Sequence, residues 1–411
     1  LDSIREKLTE PTERRYIVAL SLLLLMTSGV GFLATDIYAP ALPAIVSYFG
    51  TNESTIKLTI TVYILAFTVS QLFYGPLSDA FGRKPVLMLG MSIGFVGTIL
   101  AAVSTNVTLF FIGRAIQGVG FAATNGLVRT ITKDSFHGPL FLRILSILSA
   151  ALCLGFVFGP LIGAYIASDL GWRSTFYFVL AYLFIMMVLQ IVLLPETHKD
   201  PHKDNIRFRT ILKNYKRIIR NRIFFANAFS GGAAITGIIT FYIVTPFMLQ
   251  DHFGLSMMLY GWITLGFSLA LVFGITIGNY LVKYIRVQNV VSMGVCGMVL
   301  GSLIGAIFGF EERLSIFSVI FPFSIYALGT GLAFSNSLAC AFKPFKHSIG
   351  SAGAAYVFIR MGIGFLGTLV AAWVDARSLL AVSTALICFS GITFIVYFSL
   401  LYWERSNDCC S

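Results

Sequence analysis

The amino-acid sequence predicts an all-α membrane protein whose twelve helices form two pseudo-symmetric six-helix bundles. Three observations carry that expectation. Of 411 residues, 57% are hydrophobic and 11% charged, where an ordinary soluble domain carries roughly 25% charged residues to keep its surface wet. The apolar residues gather into twelve runs, each about as long as the 20 or so residues that cross a hydrocarbon core. The longest and most charged connection, residues 195–222, divides those runs six and six.

Breaking the runs at charged or Gly/Pro/Asn-rich punctuation places spans at 16–39, 56–75, 85–104, 108–130, 144–167, 174–194, 223–248, 259–282, 288–310, 314–338, 349–372 and 379–403. Each is read as a helix, which satisfies its own backbone hydrogen bonds in lipid. The first run follows Arg14 and Arg15. It is too long for a signal-peptide core and leads into further spans, so it is expected to be retained. The resulting organisation is a first bundle at 1–194, a central loop at 195–222 and a second bundle at 223–411.

Lysine and arginine other than Arg114 and Arg360 divide 23 to 4 between the two sets of connections, with Lys57 and Arg129, at span ends, counted in the adjoining ones. The 23 share the side of both termini and the central loop, and Arg129 is counted with them in the loop after the fourth span. The positive-inside rule then puts both termini in the cytoplasm. The net charge of +11 is no nucleic-acid footprint, because the basic residues sit in short loops and form no face on a soluble module. Residues 207–222 interleave basic and apolar side chains, as an amphipathic helix on an anionic leaflet does. Cys153, Cys296, Cys340 and Cys388 lie in or at the ends of apolar segments, and Cys409 and Cys410 in the tail, so no disulfide framework is expected. His198 and His202 are spaced i,i+4, but Pro201 between them disfavours a regular helix, and no metal site is expected. There is no phosphate-binding glycine loop for a nucleotide. The expected partners are a small-molecule solute and the lipid bilayer, with no nucleic acid, no cofactor and a monomeric chain. A proton gradient is the expected energy source.

The second and eighth spans are followed by matching residues. Gly75 and Arg83 recur as Gly278 and Arg286 at one offset of 203 residues, close to half the chain, and duplicated halves are a habit of transporters. The first of these loops reads Gly75-Pro76-Leu77-Ser78-Asp79-Ala80-Phe81-Gly82-Arg83-Lys84-Pro85. It resembles the loop signature of the major facilitator superfamily. Thr35-Asp36-Ile37-Tyr38-Ala39-Pro40 at the end of span one, Arg114-Ala115-Ile116-Gln117-Gly118 in span four, and Gly155-Phe156-Val157-Phe158-Gly159-Pro160-Leu161-Ile162-Gly163 in span five resemble elements of its drug:proton antiporters of the bicyclomycin-resistance (Bcr/CflA) type. Four elements in the right spans and order make the likeness specific.

That resemblance implies a proton-coupled multidrug efflux transporter of a bacterial inner membrane, working by alternating access and not an enzyme. Two alternatives stay open: a dedicated exporter of an endogenous anionic metabolite such as a polycarboxylate siderophore, and an importer of the same superfamily. The resemblance also gives Gly75, Asp79, Gly82, Arg83 and Lys84 a latching role between the halves, with Asp79 facing the start of span eleven near Ser348. It gives Gly155, Gly159, Pro160 and Gly163 a role in sealing the cavity against leak. On physical grounds Asp79 and Arg83 can pair if the turn is helical. The glycine stripe lets helices approach closely, and ordinary close packing is an equally available reading of it.

Charge inside the membrane is the most informative feature, since an ionisable group at the midplane costs roughly 2.5–3.5 kcal/mol on insertion scales. Asp36 is the one acid clearly within a span, and it is the candidate proton carrier. The other reading makes it a span-end residue bonded to nearby backbone or Tyr38. Arg114 shares a helical face with Gln117, Phe121 and Asn125, and the resemblance gives it a part in proton coupling. Arg360 lies mid-span with Tyr356 one turn before it. Two fixed cations against one acid favour neutral or anionic solutes, unless Arg360 pairs with Asp36. Arg360, Gln117, Tyr63, Tyr242, Tyr326 and Tyr356 are the candidate solute contacts. The three charges are expected to face an aqueous pathway.

Overall fold

The computed structural model describes residues 11–136, 138–198, 216–311, 315–345 and 349–408. Residues 199–215 lie outside it, with His202 and most of the amphipathic stretch, as do Ser348, Cys409 and Cys410. Twelve long helices follow in chain order: α1 Pro11–Asp36, α2 Glu53–Phe81, α3 Arg83–Ala102, α4 Val107–Ser135, α5 Gly138–Leu170, α6 Arg173–Leu193, α7 Arg222–Pro246, α8 Met257–Leu281, α9 Val287–Phe310, α10 Ile316–Phe342, α11 Ile349–Trp373 and α12 Leu379–Asp408. Among the described residues there is no strand. Among the described residues eleven helices are long and apolar enough to cross a membrane, and α5 is apolar along the shorter stretch Val157–Leu170.

Polar punctuation in the sequence becomes helix caps. The Asn52 side chain accepts from the Thr55 N–H at the start of α2, Asn106 from Leu109 at α4, and Asn221 from Phe224 at α7. Ser315 and Ser318 cap each other's backbone at α10. The first N–H groups of a helix have no intrahelical acceptor, so a side-chain oxygen there fixes where the helix begins.

Helix ends obey a different rule from hydropathy. α2 and α4 run on to Phe81 and Ser135, several residues past the apolar runs, because a helix leaving the hydrocarbon loses no backbone bond. The loop signature is therefore mostly helical, with Gly82 alone between α2 and α3. Arg129, read from sequence as a loop residue, lies inside α4. Span one, by contrast, ends early. α1 stops at Asp36, and a 3-10 turn Ala39–Ala41 and a short helix Leu42–Phe49 follow. Pro40 and Pro43 supply no N–H to continue α1. α7 continues as a π-helical segment, Phe247–His252.

The two halves pack alike. α3 lies on α4 as α9 lies on α10, α2 on α4 as α8 on α10, α1 on α4 as α7 on α10, and α3 on α6 as α9 on α12. Glycines permit the closest crossings: a Cβ on Gly120 of α4 would lie 2.1 Å from the Gly94 nitrogen of α3. The halves meet along α2–α11 and α5–α8. Phe184, Ile185 and Val192 of α6 and Phe273 of α8 are exposed, the surface a lipid-facing helix presents. α7 is buried along nearly its whole length.

Candidate functional site at the seam between the halves

The site begins with the break in α1. A helix that stops leaves its last carbonyls without donors and puts the negative end of its dipole there. Arg114 answers both needs. Its Nη1 donates to the Ala34 carbonyl at 3.2 Å, and its guanidinium lies between two aromatic rings, 4.5 Å from the centroid of Tyr38 and 4.4 Å from that of Tyr63. Such stacking stabilises a desolvated cation. Nη1 also donates to the Gln117 side-chain oxygen, whose amide nitrogen donates to Thr98 Oγ1 at 2.9 Å. The Tyr63 hydroxyl donates to the Gly31 carbonyl at 2.7 Å. One network thus ties α1, α2, α3 and α4 together around a wholly buried arginine.

Asp36 is the last residue of α1 and is 4% exposed. Its Oδ2 has no hydrogen-bond partner, and no ion pair within 4 Å is described for it. Arg114 acts on it electrostatically, and from the second half so do Tyr242 of α7 and Tyr260 of α8. Its Cβ faces Gly159 of α5, where an added Cβ would lie 3.5 Å away. Four residues on, a Cβ at Gly163 would lie 1.7 Å from the Ile37 carbonyl oxygen. A Cβ at Gly155 would meet open space. The three glycines of the stripe are therefore unequal. Gly163 is required by the approach of the α1 break, while Gly155 is not required in this conformation.

The seam is closed at the end opposite the basic loops. Gln250 Nε2 donates to the Pro40 carbonyl at 2.8 Å, Lys57 Nζ to the Val374 carbonyl at 3.1 Å, and Arg377 pairs with Glu53 at 3.6 Å. Each of these bridges joins one half to the other. Sequence reasoning missed all three, because they join residues about 200 to more than 300 positions apart. Asp36, Arg114 and Arg360 are all buried here, none more than 4% exposed. The aqueous exposure expected of them is absent in this conformation.

At the basic end, Asp79 and Arg83 form the ion pair the spacing predicts. Arg83 also reaches Asp134 of α4 at 3.0 Å and Ser78 at 2.7 Å. The sequence did not suggest that Glu196, just past α6, would accept from the backbone N–H groups of Arg83 and Lys84. It acts as a remote cap for α3. Lys84 Nζ donates to the Ile191 carbonyl. Gly82 has φ +95°, a backbone that side chains disfavour, and a Cβ there would sit 2.6 Å from Glu196 Oε2. Gly75 faces open space. Gly82→Ala is accordingly expected to cost about 1–3 kcal/mol of stability, whereas Gly75→Ala, inside α2 with room for the methyl group, is expected to stabilise by about 0.5–1 kcal/mol. Thermal unfolding in detergent measures both.

The remaining candidates disperse. The hydroxyl of Tyr242 shares a hydrogen bond with Ser268, and that of Tyr356 with Ser337. Tyr326 donates to the Ala233 carbonyl, and its ring fills the space a Gly237 side chain would need. It packs within the second half rather than at the seam. Arg360 does not pair with Asp36. Its electrostatic neighbours are Tyr356 and Arg129, because α11 carries it toward the basic end while Asp36 stays near the other. Arg129 is the site residue that sequence reading passed over. The signal was present: Gln117, Phe121 and Asn125 form a helical face that continues, four residues later, at Arg129.

The family model described as Major Facilitator Superfamily matches residues 24–368. The chain is 27% identical over 360 residues to Multidrug resistance protein D of Escherichia coli, covering 87% of this chain and 90% of that protein. It is 21% identical to a Bicyclomycin resistance protein homolog of Haemophilus influenzae, covering 82% and 84%. Among solved structures, a D-xylose-proton symporter superposes with a TM-score of 0.76 at 13% identity, covering 92% of this chain and 97% of that one. That likeness speaks for the fold alone.

Proposed function

Because the chain belongs to the Major Facilitator Superfamily of multi-pass membrane transporters, we propose that it exports a small organic solute in exchange for protons by alternating access. In this reading it sits in a bacterial inner membrane as a monomer, with the basic loops and both termini in the cytoplasm. Residues 1–194 and 223–411 act as the two moving bundles, and 195–222 joins them.

The observation that carries the reading is the position of Asp36. An acid without a hydrogen-bond partner at one oxygen sits where α1 breaks, against Gly159 of α5, within the electrostatic reach of Arg114 and of Tyr242 in the other half. An anion at a helix C-terminus faces the negative end of the dipole, and Arg114 is the group that favours the charged form of Asp36. A proton taken up from the outer side, with α1 parted from α5, neutralises Asp36 and lets the α1 break pack back on α5. The bridges from Gln250, Lys57 and Arg377 then close, and the proton is carried to the cytoplasmic side, where its loss restores the charge that parts α1 from α5 again. Proton binding is thereby linked to which side is open, as antiport requires. The latch of Asp79, Arg83 and Glu196 sets the other side.

The test is transport in proteoliposomes across an imposed pH gradient, with cationic, neutral and anionic solutes offered in turn. Solute movement against its own gradient, driven by inward proton flow, is the expected result. Transport indifferent to the pH gradient for every solute carried would overturn the coupling. A carboxyl-reactive carbodiimide that labels Asp36 in no condition would overturn its exposure in the second state.

A further inference from the structure

Arg360 of α11 is 3% exposed, and its Nε has no hydrogen-bond partner. Its guanidinium lies 4.7 Å from the centroid of the Phe334 ring and 6.0 Å from that of Tyr356. Arg129 of α4, half-buried, belongs to the other half. Arg360 and the Tyr356 hydroxyl act electrostatically on Arg129, and Tyr356 acts on Arg360. None of the ion pairs among the described residues includes Arg129 or Arg360. Buried cations are ordinarily paired. Arg360 is such a cation, and with Arg129 of the other half close enough to act on it and no acid described beside either, the pair leaves a place for an anion.

The surroundings supply the rest of a binding site. The Lys57–Val374 hydrogen bond fixes the antiparallel register of α2 and α11. Fourteen residues further in on each helix stand Gln71 and Arg360, at one depth, about 21 Å from that bridge at 1.5 Å per residue. Gln71 is buried with its side-chain oxygen unpartnered, and Asn125, one turn before Arg129, is buried with its amide nitrogen unpartnered. An amide presents a donor or an acceptor by turning over. Guanidinium groups match the planar, forked geometry of a carboxylate or phosphate.

We propose that Arg129 and Arg360 bind the carboxylate or phosphate group of an organic anion that this protein transports, clamped between the two halves with Gln71 and Asn125 beside it. This deepens the export reading by naming the chemistry of the solute, and it rests on that reading only for the direction of travel. Empty, the two cations repel and hold the basic end apart. Occupied, they share one anion and draw that end together, so loading the solute favours the switch.

Binding is measured on the purified full chain in neutral detergent by thermal unfolding, with citrate and glycerol 3-phosphate as anionic probes, and glycerol and choline as neutral and cationic controls at matched ionic strength. The expected result is a rise in Tm of at least about 2 °C with an anionic probe, in line with ligand linkage for a chain of this size, and none with the controls. Arg129→Gln and Arg360→Gln are each expected to abolish the rise. Removing one of two repelling cations is also expected to raise the Tm of the empty protein, whereas loss of a merely structural arginine lowers it. Should either variant fail to fold, Arg129→Lys and Arg360→Lys keep the charge, lose the forked geometry and are expected to weaken the rise. The proposal falls if the wild type is indifferent to both anions, or if the variants retain the shift. It falls equally if, in nanodiscs, phosphatidylglycerol gives the shift and neither probe adds to it, which assigns the site to a lipid headgroup. Binding without transport would leave this site standing and count against the export reading instead.

Discussion

Asp36→Asn is expected to leave solute at equal concentration on both sides of a proteoliposome membrane where the wild type concentrates it. A one-unit pH gradient supports about tenfold accumulation for one-for-one exchange, because tenfold in concentration and one unit in proton activity are each worth about 1.4 kcal/mol. Asparagine keeps the shape of the residue and its place at the end of α1, but it cannot carry the proton. The pull of Arg114 on a carboxylate is lost in both states. The accumulation ratio should fall to one, while exchange of labelled for unlabelled solute without a gradient continues within a few-fold. Loss of both activities together would instead mark Asp36 as a structural residue of the α1 break, the second reading its sequence position allows. Retained tenfold accumulation would remove it from the coupling altogether.

Gly163→Ala is expected to prevent closure at the end opposite the basic loops. The new Cβ would lie 1.7 Å from the Ile37 carbonyl oxygen, about half the distance of an ordinary contact. The obstructing atom is backbone and cannot turn aside, so α1 and α5 must part. Overpacking of this kind costs about 1–3 kcal/mol, and the cost falls on the closed state alone. A penalty of 2.8 kcal/mol shifts a two-state balance by about a hundredfold. The variant should populate the state open at that end, with reactive-cysteine labelling near Gln250 and Pro40 rising and net transport falling by about tenfold or more. Gly155→Ala is the control, since its Cβ meets open space. Equal effects from the two substitutions would show that the stripe acts as general close packing.

The fold was legible because lipid permits few solutions. A chain with 57% hydrophobic residues in runs of this length has to form helices in a bilayer, and charge and cap residues mark their limits. The Asp79–Arg83 pair was legible for a similar reason, being local and helical. Arg129 was misread because a charge near the end of an apolar run is usually a loop charge. Here the helix runs past the hydrocarbon and turns that residue inward. The supposed pairing of Arg360 with Asp36 counted charges without knowing depth, and the two lie toward opposite ends of the seam.

The sequence by itself determined twelve helices, a transporter family and a short set of intramembrane charges, all consequences of local composition and of motifs contiguous in the chain. Only the tertiary structure decided which charges meet. It set Arg114 against the broken end of α1, Asp36 against α5 and within electrostatic reach of the tyrosines of the second half, and Arg129 within such reach of Arg360. Those pairings depend on register between helices hundreds of residues apart. Register follows from how side chains interlock across an interface, and no periodicity within a single segment records it.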